Sequence, residues 1–328
     1  MRALILMLLF SSWVQAQDTA GYYGFRYFKI NFQQTPVDIL VWSEKNNADT
    51  KKPIFFFCQG SLPQPLIKEA DQGIYGVFPF NPEILSKKYH VVIVGKPGVP
   101  VKQPVQKLNP QLCYTDVNGD FPALYRKHNL LSYYVPRNKA VIDFLLKQPW
   151  TAKTGLVVAG HSEGSTIAAH MAANDARIQS IIYAGGTPHG RILAMIAQAR
   201  TRETDTVSFA TQEFDYWANI HANQIEMPVG KGDSYQNIKE FSVSVVPLLL
   251  KMKKPVLIVY GGKDWGAPYN DLLRAMAIQD KNPWLSFKDY PAMEHNFFPL
   301  TKEGKIDYSQ YNWDKVAMDW LNWLNLKR

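Results

Sequence analysis

Five stretches of the chain are apolar for four or five residues in a row, and each runs into glycine: "KPIFFFCQG", "HVVIVGKPG", "TGLVVAG", "QSIIYAGG" and "PVLIVYGG". Short runs without polar alternation suit strands buried on both faces. Nearer the start, "YYGFRYFKINFQ" and "PVDILVWSE" alternate apolar with polar positions. That period of two predicts an antiparallel pair with one packed face. Between the runs the spacing becomes three to four. "RNKAVIDFLLKQ" predicts a helix, "STIAAHMAA" predicts one after the third run, and "NDLLRAMAIQ" predicts one after the last. "YNWDKVAMDWLNWLN" places Trp313, Val316, Trp320 and Leu324 on one helical face, an aromatic stripe suited to core packing. Buried strands alternating with amphipathic helices predict an α/β architecture: a mostly parallel central sheet with helices on both faces. The first two strands add an antiparallel edge. From Pro188 to about Pro247 the rhythm breaks, with helical segments such as "RILAMIAQAR" and "TQEFDYWANIHANQIE" but no buried strand. The expectation is a helical lid inserted at about 188–250, over the carboxyl edge of the sheet.

Composition agrees with a globular domain. Of 328 residues, 46% are hydrophobic and 20% charged, ample for one large core. The opening "MRALILMLLFSSWVQAQ" has a basic start at Arg2, an apolar run from Ala3 to Phe10, and small residues at Val14 and Ala16. This pattern predicts a signal peptide over 1–16, too short for a membrane span, and a single exported domain over 17–328, secreted or periplasmic. No later run reaches spanning length, because "SVSVVPLLLKMKKPVLIVY" is interrupted by prolines and lysines. Cys58 and Cys113 would then meet an oxidising compartment. They would either close one disulfide or remain two thiols, with Cys58 buried on a strand. The net charge of +8 is scattered, and no nucleic-acid motif accompanies it, so no nucleic-acid partner is expected. No H-E-x-x-H spacing and no Gly-rich phosphate loop is found, so neither metal nor cofactor is expected.

The chemistry concentrates at Gly160-His161-Ser162-Glu163-Gly164, between the run "TGLVVAG" and the small-residue helix "STIAAHMAA". A G-x-S-x-G turn from strand to helix is the context of a nucleophile elbow, in which the serine hydroxyl stands at the sheet's carboxyl edge. A plain tight turn in a nucleotide-binding α/β fold is the competing reading. With "GHSEG", the strand pattern and the insertion after "SIIYAGG", the chain resembles the α/β-hydrolase superfamily over essentially its whole mature length.

That resemblance implies a catalytic order of Ser, then acid, then His. After Ser162 the acid is expected at Asp264, in "PVLIVYGGKDWGAP"; Asp289 and Asp271 compete, the first inside a strand-like run and the second in a helix. The base is expected at His295 in "YPAMEHNFFPL", the sole His after Asp264. The resemblance further implies an oxyanion hole made by the backbone N–H of Glu163 and that of Ser61, in "FCQGSLPQP", with Leu62 as the alternative. Relatives often carry His-Gly where this chain has Gln59-Gly60. A backbone donor survives that departure. The side chains of His161 and Glu163 receive no chemical role. His170 reads as packing and His189 as a structural loop residue, with pocket lining as the alternative. Trp265, Tyr269, Phe214, Tyr216 and Trp217 read as core or lid packing, with shaping of an acyl or alcohol pocket as the alternative.

The expected activity is that of a serine hydrolase acting on a small-molecule carboxylic ester. "GHSEG" and "EHNFF" look similar to dienelactone-hydrolase-like and bile-acid-thioesterase-like members. The chain lacks "HGGG", and Ser165 stands where prolyl-oligopeptidase-like peptidases have a second glycine. An exopeptidase, amidase or thioesterase with the same triad is the alternative. Arg202, Glu203 or Glu213 would then grip a peptide terminus. A non-catalytic binding relative is the remaining reading.

Overall fold

The computed structural model describes residues 22–222 and 232–327. The predicted signal segment lies outside them, as does part of the predicted lid. The central sheet has eight strands: β1 (Arg26–Phe32), β2 (Thr35–Trp42), β3 (Ile54–Cys58), β4 (His90–Val94), β5 (Leu156–His161), β6 (Ile178–Ala184), β7 (Val256–Gly261) and β8 (Leu285–Tyr290). Their order across the sheet is β1-β2-β4-β3-β5-β6-β7-β8. β2 pairs antiparallel with both β1 and β4, and the remaining pairs are parallel. The five apolar runs are β3 to β7.

Alternate residues of those strands enter two different cores. Ile54, Phe56 and Cys58 of β3 join Val158 and Ile258 on one face, while Phe55 and Phe57 join Val157 and Val259 on the other. That is why these strands carry no polar alternation: neither face meets water. The first face is covered by α2 (Leu131–Leu145), α3 (Glu163–Asn174), α7 (Val246–Lys251) and α8 (Ala267–Gln279), the second by α9 (Trp313–Leu326). Trp320 on α9 is fully buried and packs on Phe55, Phe57 and Phe80. The stripe predicted on this helix is core.

Two features depart from the sequence pattern. α2 begins at Leu131, well before "RNKAV", and runs through Pro136. Its exposed start is held from outside: the Glu240 carboxylate accepts both the N–H and the hydroxyl of Ser132 at 2.8 Å. A cap from a residue 108 positions away leaves no local signal. A small second sheet, Ile67–Ala70 with Gly73–Tyr75 and Lys102–Pro104, was also not legible.

The described part of the insertion carries α4 (Arg191–Arg200), α5 (Phe209–Ala222) and α6 (Tyr235–Phe241). α4 and α5 share a small core of Ile192, Ile196 and Ala210, backed by Trp217. Among the described residues no helix is long and apolar enough to cross a membrane. The two cysteines are separate buried thiols, so of the two alternatives the disulfide is not formed. Cys58 packs against Met171 on α3, while Cys113 sits in a turn held by Asn109. Burial pushes their pKa values up to about 12 and about 11.

Candidate active site

β5 ends at His161, and α3 begins at Glu163, leaving Ser162 as the entire connection. Its backbone is forced to φ +57° and ψ −125°. A non-glycine residue there carries strain of order 1–3 kcal/mol and persists only where its surroundings hold it. The Ser162 N–H donates to the Ala184 carbonyl (2.9 Å), and the Ser165 hydroxyl donates to the Ser162 carbonyl (2.6 Å). The flanking glycines have a steric cause. A Cβ on Gly160 would lie 2.0 Å from the Gly164 carbonyl oxygen, and one on Gly164 would lie 2.1 Å from that of Cys58. Both obstacles are main chain and have nowhere to go. The pentapeptide spacing therefore records how closely α3 is pressed onto β3 and β5.

The other predicted residues converge on this turn. Asp264 follows the end of β7, and His295 follows β8. The Ser162 hydroxyl lies 3.0 Å from His295 Nε2, and His295 Nδ1 lies 2.8 Å from Asp264 Oδ2. A carboxylate on Nδ1 fixes the neutral ring's proton there and leaves Nε2 as the acceptor for the serine. Asp264 is itself fixed, because its Oδ1 accepts the Gly266 N–H at 2.9 Å. Burial opposes the charged form of His295. The hydrogen bond and charge of Asp264, helped by Glu294, outweigh it, so the pKa is raised above 6.5. The competing acids are engaged elsewhere: Asp271 accepts from the Tyr260 hydroxyl, and Asp289 pairs with Arg274.

Residues with no predicted part in positioning His295 surround it. His161 Nε2–H donates to the His295 carbonyl at 2.9 Å. Burial, then the neighbouring His295, lowers the His161 pKa to about 3, so this ring is a neutral donor. The Glu294 carboxylate accepts the N–H groups of Asn296 (2.7 Å) and Phe298 (3.0 Å), which shapes the loop carrying His295. Trp265 stacks on the imidazole at 5.1 Å between centroids. Such partners are tertiary contacts, and nothing in the local sequence marks them.

The residues predicted to supply the oxyanion donors lie beside Ser162. Gly60 approaches so closely that a Cβ there would lie 3.6 Å from Ser162 Cβ, which brings Ser61 to the site. Glu163 is the first residue of α3, so its N–H has no acceptor within the helix. Ser61, Leu62, Ser162 and Glu163 all line one cavity of about 680 Å³, beside the triad. That size suits a drug-sized ligand. The α4 residues Arg191, Ala194, Met195 and Gln198 form one wall. Of the aromatic candidates, Trp265 lines the cavity; Tyr269, Tyr216 and Trp217 do not, being placed in packing, and Phe214 is half exposed outside the lining. His189 packs on Tyr269, away from the lining, and His170 lies on α3. No group of three or more His, Cys, Asp or Glu among the described residues is arranged to hold a metal ion.

No family model matches the chain, and no curated protein matches its sequence. Solved structures do match. Est1E from Butyrivibrio proteoclasticus, with ferulic acid bound, is 18% identical with a TM-score of 0.56, covering 91% of this chain and 99% of its own. The acylaminoacyl peptidase of Pyrococcus horikoshii is 13% identical with a TM-score of 0.56, covering 94% of this chain and 42% of its own. This chain thus spans about two fifths of that peptidase. A 2,6-dihydroxy-pseudo-oxynicotine hydrolase is 14% identical with a TM-score of 0.54, covering 92% and 68% respectively. The chain has the α/β-hydrolase fold.

Proposed function

We propose that this α/β-hydrolase-fold protein is a serine hydrolase that cleaves carboxylic esters through an acyl-enzyme on Ser162. The observation that carries the reading is the continuous relay from the Ser162 hydroxyl through His295 to Asp264, at 3.0 and 2.8 Å, on a serine held at positive φ. His295 takes the hydroxyl proton as Ser162 attacks the carbonyl, then delivers it to the leaving alcohol. Asp264 keeps the imidazole oriented and stabilises its cationic form. The N–H groups of Ser61 and Glu163 receive the oxyanion. Water then releases the acyl group by the same route.

Two considerations favour an ester over a peptide terminus. Arg202, Glu203 and Glu213 do not line the cavity; Glu203 pairs with Arg200, and Arg202 lies over Phe209. Arg191 and Glu163 do line it, but they are bound to each other at 3.1 Å. A substrate ammonium or carboxylate would have to break that pair. The likeness to Est1E with its ferulic acid supports an ester of an aromatic or similar medium-sized acid. The leader-like residues 1–16 support export to the periplasm or medium.

The test is covalent labelling with a fluorophosphonate, followed by peptide mapping, together with turnover of p-nitrophenyl acetate, butyrate and a feruloyl ester. Label on Ser162 and ester turnover that falls by about 10⁴-fold or more in Ser162→Ala are expected. Label elsewhere, or full activity in Ser162→Ala, would sink the reading. N-terminal sequencing of the exported protein checks cleavage after Ala16.

A further inference from the structure

A buried polar cluster lies directly behind the proposed oxyanion hole, and it touches both of the residues that would supply its donors. On one side is Glu163. Its N–H is one donor, and its carboxylate is held by Lys96 at 3.3 Å and Arg191 at 3.1 Å. The Lys96 and Glu163 side chains are only 3% and 4% exposed. On the other side is Tyr125, on α1 (Ala123–His128), a buried ring whose hydroxyl donates to the Ser61 carbonyl. Ser61 supplies the second donor. The two halves meet at Lys96, whose ammonium lies 5.9 Å from the centroid of the Tyr125 ring and 4.7 Å from that of Tyr134. Burial, then the nearby Glu163 carboxylate, holds the Tyr125 hydroxyl in its neutral, donating form by raising its pKa well above 10.

We infer that Tyr125 and the Glu163 side chain are positioning residues for the oxyanion hole, setting the two backbone donors through one buried cluster centred on Lys96. This rests on the serine hydrolase reading above. Three considerations support it. First, an oxyanion hole works only when its donors are fixed before the charge develops, because reorganising them during the reaction would cost much of their benefit. A loop such as 59–64, with no regular structure of its own, needs outside anchors to meet that demand. The Tyr125 hydroxyl is one, holding the carbonyl of the residue proposed to supply the donor. Second, burying Lys96 and Glu163 is costly unless each is paired. A pair retained at such a site suits a placement role better than a contribution to stability. Third, the cluster is not confined to the sheet. Arg191 also binds Asp233 (2.5 Å) and Asn237 (2.9 Å), so α4, which walls the cavity, is tied to the same carboxylate that follows the nucleophile.

The experiment compares wild type with Tyr125→Phe and Glu163→Gln. Tyr125→Phe removes one hydroxyl and keeps the ring. Glu163→Gln keeps an acceptor and removes the charge. Each is measured for kcat and KM on a p-nitrophenyl ester, and for binding of a trifluoromethyl ketone, whose hemiketal oxyanion occupies the same hole. The expected result for Tyr125→Phe is a fall in kcat of about ten- to a hundredfold, below the ~10²–10³ seen when a donor is removed outright. KM stays within about twofold, and ketone affinity falls in parallel with kcat. Glu163→Gln should behave in the same way where it folds; Tyr125→Phe decides the matter where it does not. Unchanged kcat and ketone affinity in Tyr125→Phe, or a loss confined to KM, would overturn the inference while leaving the triad reading intact. A wild-type protein that neither turns over ester nor accepts a phosphonate on Ser162 would overturn both.

Discussion

The edge of the sheet and the helical insertion face each other across the same cavity, and they are built to opposite standards. At the edge, two of the three proposed catalytic residues stand just past strands buried throughout, and the third follows the outer strand β8. Ser162 follows β5, Asp264 follows β7 and His295 follows β8. Their positions are fixed by main-chain contacts and by bonds near 3 Å. In the described part of the insertion, α4 and α5 share only a small core of Ile192, Ile196 and Ala210 and leave Phe214 half exposed. Its wall residues, Ala194, Met195 and Gln198, reach the cavity as one face of α4. The difference teaches a division of labour. Proton transfer needs atoms held to fractions of an ångström, whereas shape selection tolerates, and can exploit, a thinner scaffold.

That contrast can be broken from either side. The largest effect is expected at Asp264. Replacing it with Asn leaves a neutral group at His295 Nδ1 and favours the wrong tautomer, with an expected fall in kcat of about 10⁴. The pH profile supplies the signature. His295 must be neutral to accept the serine proton, and its pKa is raised mainly through Asp264 against the effect of burial. The acidic limb of kcat/KM in the wild type should therefore lie above 6.5, and in Asp264→Asn it should move to lower pH. A limb that stays put would show that Asp264 does not tune the base.

A smaller but still severe effect is expected at Gly164. An added methyl group would meet main chain at 2.1 Å, so Gly164→Ala must displace α3 or β3. Activity should fall by about 10²-fold, as a misplacement of about 1 Å does. A lower melting temperature should accompany it, read in the same preparation. Wild-type behaviour in both would mean that the elbow is looser than drawn. The smallest effect belongs to the insertion. Met195→Ala should reorder preference among acetyl, butyryl and feruloyl esters by about tenfold, the scale of a hydrophobic pocket contact. An equal loss on all three would place Met195 on the rigid side of the comparison.

The same division governs what can be read from the amino-acid sequence. The five runs announced their strands because burial on both faces removes every polar position. Ser162 could be singled out because its glycines are demanded by nearby main chain. Asp264 and His295 needed the order that the resemblance implied, and the structure brings both to Ser162. What stayed hidden rests on distant partners. Glu163 was given no part for its side chain, yet it meets Lys96, 67 residues earlier, and Arg191, 28 residues later. Tyr125 reaches Ser61 across 64 residues. The His161 ring is anchored to a carbonyl 134 residues away. Charge and periodicity are local quantities, and none of these pairings leaves a local trace. Composition likewise could not separate the five aromatic candidates: Tyr269, Tyr216 and Trp217 are in packing, the first reading, and of the five only Trp265 lines the cavity.

The contact of Gly164 with the Cys58 carbonyl has a bearing on descent. The distance from Ser162 to the loop after β3 is set there by main-chain atoms, which substitutions outside the two glycines leave in place. Side chains around the site are then free to diverge without altering that spacing. Changes in the lid or in the cavity wall would thus leave the gap between α3 and β3 as it is, provided Gly160 and Gly164 are kept.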